Sequence, residues 1–207
     1  MNRTSGLTAA ILAACLLAPA LAAAHEAGDV IVRVGAHVVD PKSDNGTLAG
    51  GTIEADVDSD LKPTFMAEWM VSERIGLELL ASVPFKHDIS LNGVEAGSTK
   101  HLPPTLSVQW HFNPRGVAQP YLGLGVNYTL FSSERTTGPL DGTDLELDNS
   151  WGLAAHAGVD LQLDGPWIAG LDLRWIDIDA DVSVDGADVG TVAIDPIAYG
   201  AYVGYRF

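Results

Sequence analysis

Eight stretches of this chain alternate, residue by residue, between apolar side chains and small or polar ones, and the last of them runs to the final residue. In AYGAYVGYRF, positions 198–207, Tyr199, Ala201, Val203, Tyr205 and Phe207 share one face. Ala198, Gly200, Tyr202, Gly204 and Arg206 share the other. A period of two belongs to β-strands. Chain ends of soluble domains are usually polar and loosely held, so a terminal strand this apolar must be tied into a larger sheet.

The other seven stretches are residues 30–39, 63–71, 75–85, 102–112, 120–131, 151–161 and 167–175. In the third, Ile75, Leu77, Leu79, Ala81, Val83 and Phe85 form the apolar face. Three connections are short (71–74, 113–119 and 163–166) and four are long (40–62, 87–101, 132–150 and 178–193), in strict alternation. An up-and-down sheet then carries both termini and all short turns at one end, and all long loops at the other. This is the layout of an eight-stranded antiparallel transmembrane β-barrel. Aromatic residues near strand ends, Trp69, Trp110, Phe112, Trp151, Trp167, Tyr199, Tyr205 and Phe207, suit the belts at a membrane surface. The last strand would close the barrel against the first and leave no sheet edge in lipid.

A secreted lipocalin-like barrel has the same periodicity with the apolar face inside. The minority face decides between them. Arg33, His37, Glu68, Glu78, Gln109, His111, His156, Asp160, Asp172, Arg174 and Arg206 fall on one side, interleaved with glycines. Eight strands leave room inside only for side chains, so a mixed-sign, glycine-rich set fills a polar lumen and the apolar set faces lipid. With 47% hydrophobic residues the chain is not a disordered acidic protein, and a net charge of −16 excludes nucleic acid as a partner.

The first 24 residues read as a secretory signal peptide: Arg3, an apolar centre from Leu7 to Leu17, Pro19, then Ala22 and Ala24 before the cut. Residues 25–207 are the predicted barrel. Leu12-Ala13-Ala14-Cys15 offers the alternative of a lipoprotein box with an acylated cysteine; cleavage after Ala24 removes the chain's single cysteine.

Several blocks in order, HEAGDVIVRVG at 25–35, IGLELLASVPFKH at 75–87, HLPPTLSVQWHF at 101–112, PYLGLGVNYT at 120–129, WGLAAHAGVDL at 151–161 and IDPIAYGAYVGYRF at 194–207, are similar to the OmpW family of outer-membrane proteins. The resemblance spans essentially the whole mature chain. It implies a thin eight-stranded barrel associated with the movement of small apolar molecules, and no enzymatic activity or cofactor. Its implied setting is outer-membrane lipid and lipopolysaccharide. The alternating C-terminus ending in Tyr205 and Phe207 resembles the signal read by the barrel-assembly machinery.

Two groups of residues are candidates for the function. A polar lumen blocks an apolar solute, but Pro84, Pro103 and Pro104 sit at the outer ends of two neighbouring strands, where proline cannot donate to a ladder. They predict a lateral opening lined by Phe85 and Leu102; the plainer reading is that they only mark strand ends. Leu80, Glu78, Asp172 and Arg174 are predicted to constrict the lumen, Leu80 as an apolar plug and Arg174 paired with an acid. Six scattered histidines have no metal-ligand spacing. Ser107, His111 and Asp160 lack the context of a hydrolase triad, and GLGVNY at 123–128 lacks the frame of a nucleotide loop. The acidic runs at 56–60 and 177–181 offer oxygen ligands for hard cations, but a solvated acidic rim accounts for them without one. The predicted function is passive passage of small hydrophobic molecules with lateral exit; the alternative is a surface receptor or structural barrel without transport.

Overall fold

The structure, a computed structural model, describes residues 25–207. The signal-peptide reading of residues 1–24, with its Cys15 alternative, lies outside the described residues. The strands are β1 (Val30–Asp40), β2 (Thr47–Leu48), β3 (Ile53–Val57), β4 (Asp60–Met70), β5 (Ile75–Ser82), β6 (Phe85–Leu91), β7 (Val94–Leu102), β8 (Thr105–His111), β9 (Ala118–Thr136), β10 (Leu145–Leu147), β11 (Ser150–Gln162), β12 (Trp167–Ile176), β13 (Asp179–Val184), β14 (Ala187–Ala193) and β15 (Ile197–Arg206). Eight of them, β1, β4, β5, β8, β9, β11, β12 and β15, pair antiparallel in a closed ring. Closure is by the terminal strand: β15 pairs with β12 on one side and β1 on the other. At its last residue the Phe207 N–H donates to Val30 O at 2.8 Å.

The two faces divide as the alternation predicts. Val32, Phe65, Leu79, Leu106, Leu124, Leu171 and Val203 point outward and are exposed, while Arg33, Glu68, Glu78, Gln109, His111, Asp160 and Asp172 are buried inside. In water so many exposed apolar side chains would drive aggregation; in hydrocarbon they are at home. The aromatics form two belts. Trp69, Trp110, Trp167, Tyr205 and Phe207 ring the end with the short turns, and Tyr128, Trp151, Trp175 and Tyr199 the other.

The four long connections are not open loops. Among them β6 and β7 form a hairpin closed by Asn92-Gly93, both at positive φ (49° and 75°), and β13 and β14 one closed by Asp185-Gly186 (53° and 75°). Such pairs make the type I′ turns that match the right-handed twist of two strands. β7 runs on against the upper part of β9, β3 pairs with β6, and β10 joins β13. The sheet therefore continues above the barrel as a walled extension with its own apolar core: Leu48, Ala55, Leu145, Ile176, Ile178, Val182, Val192 and Ile194 pack inward.

Candidate functional site

The interior is a stack of layers that can be followed along the inward residues of β1. At the turn end Ile31 packs with Met70 and Ile168. Next comes Arg33, wholly buried, whose guanidinium donates to Glu68 and Asp160 at 2.7 Å each and lies 3.6 Å from Glu78. Above it Arg174 bonds Asp172 and, at 2.8 Å, Glu78. Two tyrosines bind the layers together. The Tyr202 hydroxyl donates to Asp160 at 2.7 Å, the Tyr121 hydroxyl to Asp172 at 3.0 Å, and the two oxygens lie 3.1 Å apart. His37 reaches Thr64 at 2.7 Å, and the column ends where Val39, Phe85 and Ala198 meet.

Glycines on facing strands make room for these large side chains. A Cβ on Gly158 would lie 2.2 Å from the Tyr121 hydroxyl oxygen and 2.6 Å from Leu171 O. A backbone atom cannot yield as a side chain can. The lumen is thus filled by interlocked ion pairs, and separating buried partners leaves uncompensated charge.

Above Phe85 the character of the interior reverses. A cavity of about 180 Å³ lies inside the walled extension, lined by Leu48, Ile53, Ala55, Ile89, Leu145, Val182, Val192 and Ile194 among others. Cavities of about 150 Å³ walled by aliphatic side chains stay dry and take up benzene-sized molecules. Its polar lining is mainly His87 and His101, whose rings stack 4.7 Å apart and 3° from parallel, with Phe85 stacked on His101 at 5.6 Å. His87 Nε2 and both nitrogens of His101 lack hydrogen-bond partners. Burial pushes His101 down to about 3, with His87 adding to the shift, and burial also lowers His87.

Beside this floor the wall is interrupted. The β5–β8 ladder ends at Leu80 opposite Thr105, and the β6–β7 ladder begins at Phe85 opposite His101. Residues 81–84 and 102–104 face each other between the two. Each side is tied to its other neighbour: Val83 N–H donates to Pro63 O, and Pro104 O accepts from Tyr128 N–H, both at 3.1 Å. Pro84, Pro103 and Pro104 all fall in this interruption, with Val83 exposed and Leu102 half-buried at its edge.

One predicted residue changes sides. Phe85 is buried within the barrel, not part of the lipid face. Val83 and Pro84 are both exposed, so the alternation slips by one residue at the proline, where the ladder also breaks. Leu80 lies inside with Met66 and Tyr202, and Glu78, Asp172 and Arg174 are brought together around the Arg174 guanidinium. Ser107, His111 and Asp160 do not assemble as a triad: Ser107 Oγ has no partner, and His111 turns Nε2 to Glu68. One carboxylate of each acidic run is engaged in the extension, Asp60 with Lys62 and Lys86 N–H, and Asp181 with the Thr191 hydroxyl. The cavity is the feature sequence reasoning missed. Asn92-Gly93 and Asp185-Gly186 between alternating residues were the signal that could have shown its walls.

A sealed polar lumen beneath an apolar chamber, in a closed eight-strand barrel with a lipid-facing belt, sets the frame for comparison with known proteins. Residues 26–207 match the model of the OmpW family. The chain belongs to the OmpW family. Outer membrane protein W of Vibrio cholerae serotype O1 is 37% identical over 211 residues, covering 96% of both chains. The crystal structure of OprG from Pseudomonas aeruginosa superposes with a TM-score of 0.79 at 33% identity, over 89% of this chain and 98% of that one. A more distant relative from the same species, 22% identical over 77% of each chain, is named dibenzothiophene metabolism operon protein PahQ. As a member of the OmpW family this is an outer-membrane protein. Its turn end faces the periplasm and its walled extension the cell exterior.

Proposed function

We propose that this barrel gives small hydrophobic molecules passive entry to the outer membrane, and that they leave sideways into the bilayer rather than down the lumen. The observation that carries the reading is the apolar chamber lying directly on a column of buried ion pairs, with the interrupted wall beside its floor. An apolar solute gains by leaving water for the chamber. Continuing along the axis would require it to part Arg33 and Arg174 from their carboxylates, and nothing apolar can replace those bonds. The seam offers another way, because an unpaired backbone group facing hydrocarbon costs several kcal/mol in a closed wall, and prolines supply no donor to close it. The operon name borne by PahQ refers to an apolar aromatic compound and agrees with a cargo of this class.

Replacing Pro84 and Pro103 together by alanine restores two donors and should lengthen the pairing between the strands. Uptake of an apolar fluorescent probe into vesicles carrying the barrel should fall, while the shift between heated and unheated migration in detergent gels is kept. Undiminished uptake by a normally folded double variant would favour a receptor or structural barrel, or a route through the lumen.

A further inference from the structure

At the opposite, periplasmic end of the lumen, three side chains from distant parts of the sequence meet. One ligand atom from each of His25, His111 and Asp160 lies within 4.8 Å of the other two, and all three residues are buried. The His25 and His111 rings pack edge to face with centroids 4.7 Å apart. Both nitrogens of His25 and Nδ1 of His111 have no hydrogen-bond partner. We propose that His25, His111 and Asp160 form a binding site for a divalent transition-metal ion, a role separate from the passage of solute at the other end.

Three further observations support the assignment. First, His111 Nε2 lies 2.7 Å from Glu68 Oε1. A carboxylate held by Arg33 is an acceptor, so Nε2 is the donor in this bond and Nδ1, which has no partner, is the nitrogen left to face a metal. Metal-bound imidazoles are oriented by this same bond to an outer carboxylate. Second, Asp160 is positioned but not exhausted. Of about four acceptor sites on a carboxylate, Arg33 takes two and the Tyr202 hydroxyl one. Third, the buried network is short of permanent positive charge. The carboxylates Glu68, Glu78, Asp160 and Asp172 face two guanidiniums, Arg33 and Arg174, and otherwise the imidazoles of His37, His111 and His156, which are cationic only when protonated. A dication supplies what is missing.

Two imidazoles and a carboxylate are the donor set of zinc, copper or nickel rather than of calcium or magnesium. A tetrahedral ion about 2.1 Å from each donor spaces the donors about 3.4 Å apart. The closure needed falls on His25, which precedes β1 and is held there by its N–H bond to Pro114 O at 3.0 Å and its ring contact. His25 is therefore the ligand that completes the site, at the end of the lumen beside the short turns.

Barrel purified from outer membranes and stripped with chelator should bind one equivalent of Zn²⁺ by titration calorimetry, and Co²⁺ should give the visible bands of a nitrogen-ligated site. His25→Ala lies outside every ladder and should abolish binding with heat-modifiable migration intact. His111→Phe should do the same, and Glu68→Gln should weaken affinity about 10–100-fold. Asp164→Asn, an exposed carboxylate in the short turn between β11 and β12, should leave binding unchanged. Absence of saturable binding, or binding unaffected by His25→Ala, would overturn the site. So would loss with His25→Ala but normal binding by His111→Phe, because that pattern means chelation by the amino terminus alone.

Discussion

The two halves of the interior are built on one strand alternation and do opposite things. In the membrane-spanning half the inward positions carry Arg33, Glu68, Glu78, Asp160, Asp172 and Arg174, locked by bonds of about 2.7–3.0 Å and by two tyrosines. In the extracellular half the inward positions carry Leu48, Ile53, Ile89, Val182 and Val192, which leave a cavity between them. Polar side chains can satisfy one another and close a space completely. Aliphatic ones on hairpins that splay above a barrel cannot, and their imperfect closure leaves room for a guest. The boundary is a single layer, Val39, Phe85 and Ala198, with the break in the wall beside it.

The largest expected effect comes from opening the lower half. Arg33→Met keeps much of the side-chain length but leaves Glu68 and Asp160 without their buried counter-charge, which should cost about 3–5 kcal/mol of stability. Urea unfolding followed by tryptophan fluorescence in micelles measures it. The extracellular cavity should be untouched, so a probe that binds there in wild type should still bind the folded fraction.

Smaller, and specific to the lumen, is the effect of Leu80→Ala with Arg174→Ala. Removing an apolar residue and a guanidinium from adjoining layers should raise ion conductance in planar bilayers. Uptake of an apolar probe should stay the same, since its path does not pass those layers. Unchanged conductance would mean that these residues do not set the constriction.

The smallest effect belongs to the upper half and depends on pH. His101 is buried as the neutral base, with its pKa pushed to about 3 against about 6.5 for a free imidazole. Below about 6.5 the unfolded hairpin binds a proton that the folded one refuses, so the hairpin's stability is full above that pH and declines as pH falls toward 3. Hydrogen exchange of residues 85–102 should therefore quicken between pH 7 and pH 4, while β1 and β15 stay protected. His101→Phe should weaken the dependence and leave the part that the buried His87 contributes.

Much of this was legible in the sequence because a β-barrel is the simplest reader of period two. The inward and outward faces of the eight spanning strands and the closure of the last strand on the first follow from which residues are odd and which even. The chamber was not legible while residues between strands were read as loops. Its walls depend on tight turns at Asn92-Gly93 and Asp185-Gly186 that turn apparent loops into sheet. Phe85 went to the wrong face because parity holds only while a ladder is continuous, and Pro84 interrupts it. The meeting of His25, His111 and Asp160 has no sequence signal at all: 135 positions separate its ends, and barrel closure alone brings them together.

The central claim, that solute leaves through the wall and not through the lumen, is tested most directly by closing and reopening that wall in one protein. With cleavage after Ala24 the chain has no native cysteine, so Val83→Cys and Leu102→Cys place the only thiols on the two edges of the interruption. Bridging them with a short, reducible thiol cross-linker and measuring apolar-probe uptake into vesicles, before and after reduction, isolates the seam. Uptake should fall on bridging and return on reduction, with conductance unchanged throughout. Uptake that continues at the wild-type rate through a fully bridged wall would contradict the lateral route.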